Sequence, residues 1–310
     1  MDLRQLAALT AVADHHSFSA AARALHTVQS NVSTHIAHLE REMGAALVDR
    51  RSGALTEPGE LVVARARRIQ YELEALTADV ASALGDISGS VRLGIIGTTG
   101  RWLTPKLLKA VAAVHPKVRV VLIDATTTSL VPQLAVGRLD LAVVNLPVTH
   151  PDVAAEQLFE EDHVLVVPDG HPLSSREEIE LSELADHALL VEPCGTGFRD
   201  DLEADASRAG MRLRAQAEID GMRLLASLAF EGFGVAVLPA SAVPMGEAAG
   251  PWRRIPLKGC TPRAVGVAVP RRARLSAPAR AVRDVLVDVV AREVPGNPDL
   301  HLVAHPVPPQ

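Results

Sequence analysis

The 310-residue chain reads as an α/β protein that carries an all-α winged helix-turn-helix at its amino end. Three features predict this. Short amphipathic helices broken by tight turns fill residues 1–55, and one long helical pattern follows over 58–87. From Val91 onward, strands and helices alternate, which is the grammar of βαβ units around a parallel sheet.

The head comes first. Leu3, Leu6, Leu9 and Ala13 share one face of a first helix. "HHSFS" interrupts it, with Ser19 expected to cap a second helix over "AAARAL". "HTV" is the next break, and Thr27 is expected to cap a third helix, where Val32, Ile36 and Leu39 recur at i, i+4, i+7. That helix runs to about Met43, and Gly44 suits the position just past a helix end. A final helix in this order belongs in the major groove. Its outward side chains, Gln29, Ser30, Ser33, Thr34 and His35, can reach base edges. "DRRSGALT" (49–56) has the turn residues of a small wing, from which Arg50 and Arg51 would meet phosphate or the minor groove. Glu40 and Asp49 are alternative partners for Arg50.

In the long helix, Val62, Ala66, Ile69, Leu73, Leu76, Val80, Ala83 and Ile87 form an unbroken heptad seam. A lone helix cannot bury such a seam, so residues 58–87 are expected to pair with a second copy, and "GDISGS" (85–90) to end the helix as a hinge.

Beyond the hinge, strands are expected at "VRLGII", "VRVVLI" and "LDLAVVNLP", with helices over 101–114 and 127–137. A second set follows at "HVLVVP", "HALLVEP", "LRAQAEI", "GVAVLP" and "RAVGVAVP", with helices over 197–209, 221–231 and 277–293. The predicted division is a head (1–57), a linker helix and hinge (58–90) and a two-lobed domain (91–293). Lobe 1 takes about 91–161 and 268–293, and lobe 2 about 162–267. Strands crossing near 160–163 and 263–268 would enclose a cleft between them. The Pro-rich stretch 294–310 is expected to be disordered.

The cleft is where a ligand is expected. "GTTG" (97–100), "TTTS" (126–129) and "CGTG" (194–197) each follow a strand, and open α/β sheets bind ligands beyond the carboxyl ends of their strands. Thr98, Thr99, Thr127, Thr128 and Thr196 are the predicted contacts, with Phe198, Arg199 and Met222 shaping the pocket. Three hydroxyl-rich turns suit a carboxylate or another small anion. Plain helix capping by threonine accounts for the same residues.

Other chemistries find little support. "GIIGTTG" (94–100) with Asp124 has the look of a dinucleotide site, but the spacing is not G-x-G-x-x-G and no catalytic set accompanies it. His15 and His16 lack a cysteine or acidic cluster and suit a surface turn better than a metal. Cys194 and Cys260 make no disulfide framework, and Cys194 has no basic neighbour to activate it for a redox switch. No catalytic residues, cofactor or metal are therefore expected. No apolar run approaches the roughly 20 residues of a membrane span, and no signal-peptide pattern opens the chain, so a cytoplasmic location is expected. Net charge of −6 argues against indiscriminate coating of nucleic acid.

The stretch "SFSAAARALHTVQSNVSTHIAHLEREMGAALVDR", with "LTEPGE" after it, resembles the LysR-type transcriptional regulators. Ala21-Ala22, Leu25, Gln29-Ser30, Ser33, Ile36, Leu39-Glu40, Gly44, Leu47 and Arg50 carry the likeness, and "LAFEGFGVAVLP" (228–239) extends it along the chain. The resemblance implies a regulator of double-stranded DNA that dimerises through the 58–87 helix and commonly assembles into homotetramers. It also implies a small effector held between two lobes like those of periplasmic binding proteins. Thr34 and His35 stand where the family usually has Arg and Gln, His38 where a basic residue is common, and Val48 where Phe is usual. Five arginines and five acids balance over residues 1–55, so phosphate contact must come from Arg50, Arg51, Arg23, helix N-termini and any protonated histidines. Binding weaker and less steep in salt than that of a basic relative is the expectation. The alternative is a small-molecule binder whose DNA head is vestigial.

Overall fold

The computed structural model describes residues 1–49, 52–244, 250–271 and 274–303. Arg50 and Arg51 lie outside them. In the head, α1 (Leu3–His15) starts at Asp2, whose carboxylate accepts the Gln5 N–H in a capping box. α2 (Phe18–Ala24) is capped by Ser17, two residues before the expected Ser19, whose hydroxyl instead donates to Gln29 Oε1 at 2.7 Å. α3 (Gln29–Met43) has Val28 at its N-cap and no side-chain cap. The expected cap, Thr27, accepts the Asn31 side-chain amide at 3.0 Å instead. Leu6, Leu9, Val12, Ala21, Val32, Ile36 and Leu39 form one core with Leu47 and Val48 of the wing. Val48 bridges Leu55 in antiparallel fashion. Glu40 ties the wing to α3 by accepting the N–H groups of Leu47 (2.9 Å) and Val48 (3.3 Å). Gly53 turns at φ +73°, where a Cβ would lie 2.8 Å from the His16 carbonyl oxygen.

The linker helix α4 (Glu57–Ala83) is capped by Thr56. Its heptad seam divides. Ala66 is buried in the head core with Val62 packed against it, whereas Ile69, Leu73, Leu76 and Val80 are 39–61% exposed in the single chain. The helix stops at Ala83, so Ile87 is not on it. A neighbouring face docks on the chain's own lobe 1. Tyr71 is buried beside Asp140 and Ser276, where burial and the Asp140 carboxyl push its hydroxyl pKa up. Asp79 accepts the N–H of Ala277 at 2.7 Å.

The remaining elements, in order, are β1 (Gly89–Ile95), α5 (Gly97–Val114), β2 (Val118–Asp124), α6 (Thr127–Ala135), β3 (Leu141–Asn145), β4 (Val153–Glu161), β5 (His163–Pro168), β6 (Ile179–Glu180), β7 (Ala188–Val191), α7 (Gly197–Arg208), β8 (Arg214–Glu218), α8 (Met222–Phe230), β9 (Val235–Pro239), β10 (Trp252–Lys258), β11 (Arg263–Pro270), α9 (Ala277–Glu293) and β12 (Leu300–Leu302). They build two six-stranded sheets, β12-β4-β11-β3-β1-β2 in lobe 1 and β6-β10-β5-β9-β7-β8 in lobe 2. In each, three strands are parallel (β2-β1-β3 and β8-β7-β9) and the next two antiparallel. The interior parallel strands β3, β7 and β9 are near-continuous apolar runs, as burial on both faces requires, while the edge strands β2 and β8 stay partly exposed and carry Arg119, Asp124, Arg214 and Glu218.

Three expectations need correction. α5 begins at Gly97, so "GTTG" is its first turn and not a loop. Gly94 serves packing: a Cβ there would come within 2.7 Å of Leu130 and 2.9 Å of Leu139. β11 pairs along its whole length with β4 and over Val265–Ala268 with β3, which places residues 263–267 in lobe 1. Residues 294–303 are ordered in place: Val294–Gly296 form a 3-10 turn, and β12 pairs with β4 because Leu300 buries itself there. Residues 304–310 lie outside the described part.

Candidate DNA-binding face and interlobe cleft

On α3, Gln29, Ser30 and Thr34 are exposed and Ser33 and His35 half-exposed, with Ser30, Ser33 and Thr34 away from the buried Val32, Ile36 and Leu39 and with Gln29 and His35 flanking that stripe. The Thr34 hydroxyl donates to the Ser30 carbonyl at 2.8 Å. The Gln29 oxygen is held by Ser19, which leaves its NH2 group to donate. The first N–H groups of α3, unmet by any side-chain cap, are a place for phosphate.

The cleft shows the same trait four times over. α5, α6, α7 and α8 all start without a side-chain cap, whereas α1, α2 and α4 have Asp2, Ser17 and Thr56. Threonine capping therefore does not explain the hydroxyl-rich turns. Across the gap, Arg223 in the first turn of α8 ion-pairs with Asp124 at the end of β2.

The predicted residues fare unequally. Thr98 reaches the floor, where its hydroxyl accepts from Arg263 at 2.8 Å. Arg263 in turn donates to the fully buried Glu161 (Nε to Oε1, 2.6 Å), and Glu161 Oε2 accepts the Ser241 N–H of lobe 2 at 3.0 Å. Thr99 lies on the buried row of Leu103, Leu107 and Val111, so it faces its own lobe's core and not the gap. Thr127 accepts the Asn145 N–H at 3.0 Å, Thr128 pairs with Thr126 at 2.9 Å, and Thr196 donates to the Pro193 carbonyl at 3.0 Å. Phe198 lies 5.4 Å from the His163 ring. Arg199 is turned away. It is 5% exposed and spends its guanidinium on Glu203 and the Glu192 carbonyl. Met222 packs against the core of lobe 2.

Sequence reasoning passed over Glu161, Arg263, Arg223 and His163, and weighed Asp124 only as the acid of a dinucleotide site. His163 is buried at the cleft end of β5 with no partner for Nδ1. Burial, and then the nearby Arg263, lower its pKa to about 4, so the ring is neutral. The one signal in the sequence is a histidine heading an otherwise apolar strand. Burial raises the pKa of the Glu192 carboxyl, which adds latent negative charge near Thr196. The guanidiniums of Arg263, Arg199 and Arg223 are thus already neutralised, and a carboxylate would find none of them free. Cys194 is exposed before α7, while burial, reinforced by Asp205, pushes the Cys260 thiol up to about 12. Among the described residues no group of three or more His, Cys, Asp or Glu is placed to hold a metal ion, and no helix is long and apolar enough to cross a membrane.

Known proteins share both halves of this arrangement. The model of the LysR substrate binding domain matches residues 84–291, and that of the bacterial regulatory helix-turn-helix protein, lysR family, matches residues 3–60. A probable hydrogen peroxide-inducible genes activator of Streptomyces viridosporus is 35% identical over 246 residues, covering 78% of each chain. The DNA-binding transcriptional dual regulator OxyR of Escherichia coli K12 is 32% identical over 247 residues, covering 79% of this chain and 81% of OxyR. A full-length OxyR variant from Pseudomonas aeruginosa superposes with a TM-score of 0.73 at 26% identity over 94% of both chains. CbnR, solved with its target DNA, shares the fold at a TM-score of 0.69 and 24% identity, over 94% of this chain and 99% of CbnR. Family match over head and lobes together makes this chain a member of the LysR family, a DNA-binding and ligand-responsive regulator of transcription.

Proposed function

We propose that the chain works in the cytoplasm as a homodimer paired along the exposed Ile69–Val80 seam of α4, able to assemble further into a tetramer. Gln29, Ser30, Ser33, Thr34 and His35 read the bases, and Arg50 and Arg51 hold the phosphates. The effector is small, oxygen-rich and uncharged. It sits at the cleft floor among Thr98, Thr127, Thr128, Thr196 and Phe198, with Met222 behind.

One observation carries the effector class. α5, α6 and α7 begin without a side-chain cap beside a gap whose guanidiniums at Arg263 and Arg223 already have carboxylate partners, while the first N–H of α8, at Met222, is met by Glu192. Such a site offers hydrogen bonds to oxygen with the guanidiniums of Arg263 and Arg223 already neutralised, which weakens the carboxylate reading. Hydrogen peroxide, cited in the names of the relatives, is the smallest molecule of this class. The thiol pKa of Cys260 favours binding over formation of a Cys194–Cys260 disulfide.

The test is calorimetry and operator gel shift on the full-length chain, with the promoter DNA beside its own gene. Hydrogen peroxide and neutral polyols are compared with benzoate and succinate, and repeated in the C194S/C260S variant. Binding of a neutral compound that alters the shift in both proteins supports the reading. A response confined to the carboxylates, or one lost in the cysteine-free variant, overturns it. Absence of any shift by the free protein would favour a vestigial head.

A further inference from the structure

We infer that residues 297–302 form a third crossing between the lobes and set the resting angle of the hinge, whatever the effector is. The chain itself passes between the lobes at Asp162, the residue between β4 and β5, and again between β10 and β11.

Asp162 is held from both sides. Its N–H donates to the Asp299 carbonyl at 2.9 Å, and its own carbonyl accepts the Ala240 N–H of lobe 2 at 2.9 Å. Its carboxylate lies 2.9 Å from His301 Nε2. The segment grips lobe 1 through the β12–β4 ladder, where Leu300 pairs with Glu161 and Leu302 with Phe159. It grips lobe 2 through the carboxylate of Asp299, which ion-pairs with Arg254 on β10. Those two side chains are only 14% and 18% exposed, and Arg254 Nε has no partner of its own. The Asn297 side chain accepts the Asp299 N–H at 3.0 Å and fixes the bend that delivers the carboxylate.

A rotation of lobe 2 about Asp162 must pull Arg254 away from Asp299, because Asp299 travels with lobe 1. Separating a mostly buried pair leaves the guanidinium without its counter-charge, so the pair opposes movement from the resting angle. An effector that moves the lobes has to exceed that resistance.

Hydrogen exchange on the full-length chain tests this. In Asp299→Asn, the amides of Asp162, Ala240 and Ser241 should exchange about tenfold faster, with those of β1 and β9 unchanged. The exchanged pair D299R/R254D should bring the three hinge amides back toward the parent rates. Hinge amides that ignore D299N would overturn the inference. Acceleration equal in β9 and at the hinge would overturn it too, since the segment would then merely support folding. Failure of the exchanged pair to restore the rates would count the same way.

Discussion

Replacing Glu161 by alanine strands a charge. The carboxylate is fully buried, accepts Arg263 Nε at 2.6 Å and takes the Ser241 N–H at 3.0 Å. The Arg263 side chain is itself 10% exposed. Removing one partner of a buried pair costs about 3–5 kcal/mol, and the unmet Ser241 N–H adds about 1 kcal/mol more. A loss of about 5 kcal/mol is a third or more of the stability of a typical domain. The chain supplies its own reporters, since its two tryptophans, Trp102 on α5 and Trp252 on β10, stand one in each lobe. W102F and W252F backgrounds therefore follow urea unfolding of each lobe separately. With a slope of about 3 kcal/mol/M, the midpoint should fall by about 1.7 M in both, because the network spans the lobes. Adding Arg263→Met should recover most of the loss, since the stranded guanidinium is its cause. A cost under about 1 kcal/mol, or a double variant as unstable as the single one, would refute the reasoning.

Three further outcomes are expected. His163 has a folded pKa of about 4 against an unfolded value of about 6.5, so its contribution is fully present above pH 6.5 and is lost as pH falls toward 4. The parent chain should lose up to about 3 kcal/mol more than His163→Gln over that window, read as the difference between their urea midpoints at each pH. Thiol titration with an aromatic disulfide at pH 8 should label Cys194 in the native chain and Cys260 only after denaturation, because burial holds the Cys260 thiol near 12. Operator affinity measured against KCl should give a log–log slope shallower than about −10, since the arginines and acids of residues 1–55 balance. A slope that steep would mean phosphate contacts beyond those the head carries.

What the sequence showed, and what it hid, follows from the range of the forces involved. The α3 helix was legible because Val32, Ile36 and Leu39 repeat with the helical period, and the central strands because burial on both faces demands apolar runs such as "GVAVLP". Caps were legible to within two residues only, as Ser17 and Ser19 are chemically alike and tertiary packing chose between them. At the cleft, periodicity misplaced the start of α5, which put Thr99 in a loop when it lies on the core row of Leu103. Arg199 looked like a pocket residue because a local pattern does not reveal that Glu203, one turn on, takes its charge. Glu161 and Arg263 are about a hundred positions apart, and no local signal joins them. β12 was hidden by the prolines around it, which mark disorder by composition, yet Leu300 had a burial site waiting on β4.

The docking of α4 on lobe 1 has a mechanical consequence. Tyr71 is keyed in beside Asp140, and Asp79 closes the amino end of α9, so rod and lobe share one frame that also carries the head. On that shared frame a shift of lobe 2 against lobe 1 would leave the angle between rod and lobe 1 unchanged.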